Sequence, residues 1–130
     1  MTVEADVQRT FLALAALLGL LAVAAGAFGA HALEARLPAD RLAIFETAAR
    51  YQMYHALALL AVAIVAALLP ASPALVHAAG WSFVGGTLVF CGTLYLIAFG
   101  GPRWLGAITP LGGLGFMTGW ALLGLAALRS

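Results

Sequence analysis

The chain is organised in long apolar blocks separated by short polar ones. Residues 11–30 form the first block, twenty residues without a charge. At 1.5 Å per helical residue it just crosses a hydrocarbon core of ~30 Å, which predicts a transmembrane helix over 11–30. A cleavable leader is the rival reading, because Ala25-Gly26-Ala27 looks like a small-residue processing site. Glu4 and Asp6 beside Arg9 deny the positive start that a leader needs, so the retained span is favoured.

The second block is shorter. Its purely apolar part, 56–69, has fourteen residues, or ~21 Å of helix. To cross, it must recruit Tyr51 through His55, which predicts a span over 51–69 with those residues at the interface. After a turn at Pro70-Ala71-Ser72-Pro73, a third block predicts a span over 74–99, with Trp81 and Tyr95 marking its interfacial ends. Gly100-Gly101-Pro102-Arg103 reads as a turn. The fourth span covers 110–128, with Thr109 as N-cap and Pro110 at the first helical position. Short connections between four spans predict an all-α integral membrane protein. It is an antiparallel four-helix bundle forming one transmembrane domain over 1–130.

Composition strengthens this picture. The chain is 65% hydrophobic and 8% charged, with a mean hydropathy of +1.07. Average globular chains are about a quarter charged, and a soluble domain of this size has no way to hide so much apolar surface. A net charge of +1 argues against a nucleic-acid partner, which needs clustered basic residues. The single Cys91 rules out a disulfide within the chain and a cysteine-based metal site. Arg36, Arg41, Arg50 and Arg103 fall on one side of the spans, Arg9 and Arg129 on the other. The positive-inside rule then places both termini outside the cytoplasm.

The segment joining the first two spans is amphipathic, with His31, Glu34, Arg36, Asp40 and Arg41. Pro38 suits a helix start, and Asp40 in the first turn faces the positive end of the helix dipole. Small residues recur along the spans. Ala15, Gly19, Ala22, Gly26 and Gly29 share one face of the first, and Gly112, Gly115 and Gly119 one face of the fourth. The third carries Gly85, Gly86 and Gly92, with Ser82, Thr87 and Thr93 as hydrogen-bond donors. Such faces permit close helix approach, within one bundle or between subunits.

Candidate chemistry is confined to FETAARYQMYH, residues 45–55. On a helix from Pro38, Ile44, Ala48, Tyr51 and His55 fall in one column, while Glu46 and Arg50 lie nearly opposite. Glu46 and Arg50 have the spacing of an i,i+4 ion pair at the interface, and become a functional pair if they enter the bilayer. A helical hairpin brings His31 and His55 to the same membrane face. Two histidines at shared depth suit haem ligation, metal binding or proton relay. The commoner role is an interfacial histidine bonded to a tyrosine or a carbonyl. No third ligand sits at metal spacing on the same helix. Gln52, Tyr51, Tyr54, Trp104 and Trp120 read as interfacial anchors, and His77 has no assigned role. No acid occurs in 11–30 or 56–130, which disfavours proton-coupled transport through the bundle. The binding candidates are therefore His31, Glu46, Arg50, Tyr51 and His55, with no catalytic residue and no metal site.

Four blocks in order, GAFGAHALEARL at 26–37, FETAARYQMYHALALL at 45–60, LYLIAFGG at 94–101 and ITPLGGLGFMTGW at 108–120, resemble a small four-span family. It is catalogued as domain of unknown function 423 and includes the eukaryotic transmembrane protein 256 group. The resemblance implies a bacterial inner-membrane protein and carries no activity with it. Its pattern singles out Gly26, Gly29, His31, Phe45, Glu46, Tyr51, His55, Thr109, Pro110, Gly112, Gly113 and Trp120. The leading expectation is a non-enzymatic, oligomerising or accessory subunit of the inner membrane, packing through Gly19, Gly26, Gly29, Gly85, Gly92, Gly112, Gly115 and Gly119 against itself or a larger complex. The alternative is a redox, haem or lipid site at one membrane face built on His31 and His55. A passive channel or carrier comes third.

Overall fold

A computed structural model describes residues 2–69 and 71–130. Among these residues, four helices are long and apolar enough to cross a membrane. Helix α1 covers Val3–Phe28 and continues into a π-helical turn, Gly29–Leu33. Helix α2 covers Ala39–Leu68, α3 covers Pro73–Ala98, and a 3-10 turn over Arg103–Ala107 leads into α4, Thr109–Leu128. The expected turn over 70–73 begins on Pro70, which lies outside the described residues.

Local chemistry explains most of the ends. The Thr2 hydroxyl accepts the Ala5 N–H at 3.3 Å, and Glu4 and Asp6 occupy the first turn of α1, where acids suit the dipole. The helix therefore starts eight residues before its apolar run. Helix α2 starts just after Pro38. Its thirty residues make a rod of ~45 Å, much longer than the hydrocarbon core. At the end of α3, Gly100 takes φ +97°, a conformation open to glycine at little cost. Its N–H donates to Ile97 O at 3.0 Å and that of Gly101 to Leu96 O at 2.7 Å, closing a Schellman motif. The Arg41 guanidinium reaches from α2 to Ile97 O at 2.8 Å. One expectation needs correcting: Thr109 is the first residue of α4 and Ile108 its N-cap. Because the 3-10 turn runs straight into the helix, the Thr109 hydroxyl donates back to Leu105 O at 3.2 Å and lies 2.6 Å from the Thr93 hydroxyl on α3.

The helices pack in chain order, α1 on α2, α2 on α3 and α3 on α4. The two middle helices are the most enclosed. In the most apolar stretches of α2 and α3, 44% and 39% of residues are buried, against 17% and 22% in α1 and α4. The core is mostly apolar, with Phe11, Leu59, Val62, Val76, Phe83 and Cys91 fully buried.

Glycines set the spacing between α3 and α4. A Cβ on Gly112 would strike the Phe90 backbone, one on Gly115 would lie 3.1 Å from Gly86 Cα, and one on Gly119 2.6 Å from the Phe83 ring. The α3 member of this contact is Gly86. Gly85 and Gly92, expected to pack, have no atom within 4 Å of such a Cβ, and neither does Gly26 on α1. Gly19 and Gly29 do face α2, opposite Ala56 and Phe45. Sequence spacing gives the steps between small residues but not which side of the helix meets a neighbour.

Candidate functional site

Helix α2 carries its polar residues on two sides. On the inner side, Gln52 and His55 are buried. The Gln52 amide N–H donates to Leu18 O on α1 at 2.9 Å, and its carbonyl oxygen accepts from the Tyr95 hydroxyl on α3 at 2.8 Å. One side chain thus ties three helices together. Gln52, expected as an interfacial anchor, is bonded within the bundle, and Tyr95 lies three residues before the end of α3. Helix α2 runs twelve residues beyond Tyr51 on its N-terminal side. Residues 51–55 are therefore interior to the rod.

His55 has both nitrogens engaged. Nδ1 lies 2.8 Å from Tyr51 O, and the Trp120 indole N–H donates to Nε2 at 3.4 Å. A carbonyl only accepts and an indole only donates, so the ring is the neutral tautomer with its proton on Nδ1. The ring stacks on Phe116 with centroids 3.5 Å apart and planes 5° from parallel. Tyr51 packs on Phe90 at 4.8 Å, and Phe83 on Trp120 at 5.0 Å.

Tyr51, His55, Phe116 and Trp120 wall a cleft of about 810 Å³ between α2 and α4, with Phe90 of α3 also lining it. Tyr54, Gly113, Leu114 and Met117 line it further. It opens on the outer face of the helix bundle. Tyr51 and Tyr54, 37% and 51% exposed, supply its accessible hydroxyls. Trp120, expected as an interfacial anchor, instead stands beside His55 partway along α4. Tyr54 entered the sequence reading only as an anchor, and Phe90 and Phe116 were missed. Apolar periodicity does not separate a cleft-lining phenylalanine from a lipid-facing one, although the family pattern did single out Trp120.

His31 and His55 do not meet. Ala56, next to His55, lies opposite Gly19 on α1. His31 is twelve residues beyond Gly19, or about 18 Å along the axis. It is exposed on the π turn. The expected shared depth is wrong, and with it the pairing of these two rings as axial haem ligands. The hairpin is helical far beyond the apolar block, so His31 and His55 sit at different heights along it.

Glu46 and Arg50 occupy the outer side of α2. With Ala22 and Gly26 of α1, and Ala49 and Met53, they line a separate groove of about 490 Å³. The i,i+4 ion pair expected between them is not closed. Among the described residues, ion pairs join Arg103 to Asp40 at 2.9 Å and His77 to Glu4 at 3.9 Å. The Arg103 contact is a hydrogen bond that links the start of α2 to the turn before α4, and it holds the exposed Asp40 carboxyl below the usual carboxylate range.

A family model described as "Protein of unknown function (DUF423)" matches residues 25–113. The chain belongs to this family. The DUF423 match takes in Glu46, Arg50, Tyr51, His55 and Phe90 and stops short of Phe116 and Trp120. Relatives extend it over nearly the whole chain. The UPF0382 membrane protein YwdK of Bacillus subtilis (strain 168) is 42% identical over 122 residues, 94% of this chain and 98% of its own. The UPF0382 membrane protein SSP2132 of Staphylococcus saprophyticus is 43% identical over 116 residues, 89% of this chain and 94% of its own. No solved structure matches. Like these relatives, the DUF423 chain is a membrane protein.

Proposed function

We propose that the protein is a non-enzymatic, multi-pass protein of the bacterial inner membrane that holds a lipid-soluble amphiphile in the α2–α4 cleft. The cleft itself carries this reading: about 810 Å³ walled by Tyr51, Tyr54, His55, Phe90, Phe116 and Trp120. Ligand pockets are commonly apolar and aromatic with a few placed polar groups, and here the two tyrosine hydroxyls are available to a ligand's polar end. His55 acts as a fixed wall, since its nitrogens are already engaged by Tyr51 and Trp120. The lipid-handling alternative thus moves from His31 and His55 to His55 and its aromatic neighbours.

Gly113 offers the test. A Cβ there would lie 3.9 Å from the Phe90 ring, so a larger side chain extends into the cleft without displacing backbone. Native mass spectrometry of protein extracted from its own membrane in mild detergent should show a bound lipid-soluble species. That species should be lost in Gly113→Phe while the melting temperature holds. Identical adducts on both proteins would sink the proposal.

An oligomerising or accessory subunit is the second reading. The fourth-span glycines are used within the chain, which weakens the original basis for it. What favours it is Gly26, Gly85 and Gly92, all without a neighbour within 4 Å. The channel or carrier reading gains nothing from packing, because Leu59, Val62, Val76 and Phe83 fill the interior.

A further inference from the structure

The groove between α1 and α2 holds the strongest unexplained feature of the molecule. Glu46 and Arg50 stand exposed beside Ala22 and Gly26. Farther along the same face, Gln8 and Arg9 line a second hollow with Ala63 and Ile64. Gly19 faces Ala56 and Gly29 faces Phe45, which puts Arg50 level with about residue 24 of α1. Arg9 and Arg50 therefore differ in height by about 23 Å, under the ~30 Å of a hydrocarbon core. Helix α3 has no Asp, Glu, Lys or Arg in its twenty-six residues, a charge-free length of ~39 Å. The α1/α2 face thus carries an apolar band about a quarter too narrow, and a too-short band is relieved by snorkelling, local thinning or association.

The signs of the charges choose among these. Glu46 and Arg50 lie one helical turn apart on the same face with no partner among the described residues. An anionic headgroup drawn to Arg50 would be repelled by Glu46, and a partner of one charge sign would leave the other residue uncompensated. A second copy of the same face compensates both. A two-fold axis along the membrane normal keeps equal residues at equal height, and Glu46 to Arg50 is a step of about 6 Å, within reach of two long side chains. Gly26, with open space beside it, lets the backbones approach.

We propose that two copies of this chain associate through the α1/α2 groove, with Glu46 of each facing Arg50 of the partner subunit. The proposal rests on the oligomeric reading above and is independent of what the cleft binds. The interface is isologous, so the ion pair forms twice.

Charge reversal tests it. Two differently tagged copies are co-expressed and captured through one tag in mild detergent. Wild type should capture wild type. Glu46→Arg and Arg50→Glu should each lose self-capture by about tenfold or more, since each puts like charges on both copies. Co-expressing Glu46→Arg with Arg50→Glu should restore capture, because one face is then all positive and the other all negative. Restoration cannot come from pairing within one chain. Wild type that fails to self-capture overturns both this proposal and the oligomeric reading. Self-capture unaffected by either reversal, or a mixture that fails to recover, overturns this face alone. Should a reversed variant not fold, Met53→Cys gives a second measurement, because Met53 lines the same groove and leaves Gly26, Glu46 and Arg50 unchanged. Cys91 is buried, so a membrane-permeant bis-maleimide should link dimers through position 53, and no linked dimer overturns the proposal.

Discussion

The two sides of α2 solve the same problem differently. On the inner side, every polar atom of Gln52 and His55 named above has a partner in the chain, and three helices are fixed by those bonds. On the outer side, Glu46 and Arg50 have none among the described residues, although they project from the same helix one turn away. An unpartnered polar group is costly in lipid. The inner side therefore stabilises the bundle, while the outer side adds no bond to it among the described residues. The sharpest way to break the contrast is to show that both sides matter equally to monomer stability.

The largest effect should come from His55→Ala. It removes a buried ring stacked 3.5 Å from Phe116, leaves the Trp120 N–H without its acceptor and opens a cavity. Loss of a buried ring to alanine costs about 2–4 kcal/mol. Denaturant unfolding followed by Trp fluorescence would measure it, with His55→Phe recovering most of the loss because the stack returns. A loss below 1 kcal/mol would mean that the ring is not the wall of the cleft described here.

Gln52→Leu should follow. It strips the Leu18 carbonyl and the Tyr95 hydroxyl of one partner each while keeping most of the volume. Hydrogen bonds between membrane helices average well under 1 kcal/mol, so two of them predict a loss of about 1–2 kcal/mol. Glu46→Gln in the same unfolding measurement, on monomer in excess detergent, should change stability by a few tenths of a kcal/mol at most. If Glu46→Gln costs as much as Gln52→Leu, the two sides are alike and the comparison fails.

The split between these stripes was legible from angular spacing, since Glu46 and Arg50 lie far around the helix from Tyr51 and His55. The helices and their order followed from block length and hydropathy, which report on lipid rather than on neighbours. Depth was the failure. Block length put the start of a span at Tyr51 because the purely apolar run is too short to cross, while the helix itself was read from Pro38 and does begin at Ala39. A polar residue at the edge of an apolar run looks the same whether it meets water or another helix. Gln52 is the example, bonded to Leu18 and Tyr95 inside the bundle. Gly85 and Gly86 show the same limit at finer scale: adjacent glycines point about 100° apart, and only Gly86 meets α4.

The smallest expected effect comes from a charge pair that is exposed yet satisfied. Asp40 accepts a hydrogen bond from Arg103 at 2.9 Å, and both side chains are about 60% exposed (60% and 63%). Exposed pairs contribute little, so Asp40→Asn should shift the melting temperature only slightly at neutral pH. Its pH dependence is the informative part. The Arg103 bond lowers the Asp40 pKa in the folded protein, so its contribution is fully present above the unfolded carboxylate range. As pH falls through the folded pKa, the contribution is lost. The melting temperatures of wild type and Asp40→Asn should therefore converge in acid and separate again at neutral pH. A difference that stays constant across that window would show that Asp40 acts through its shape in the first turn of α2.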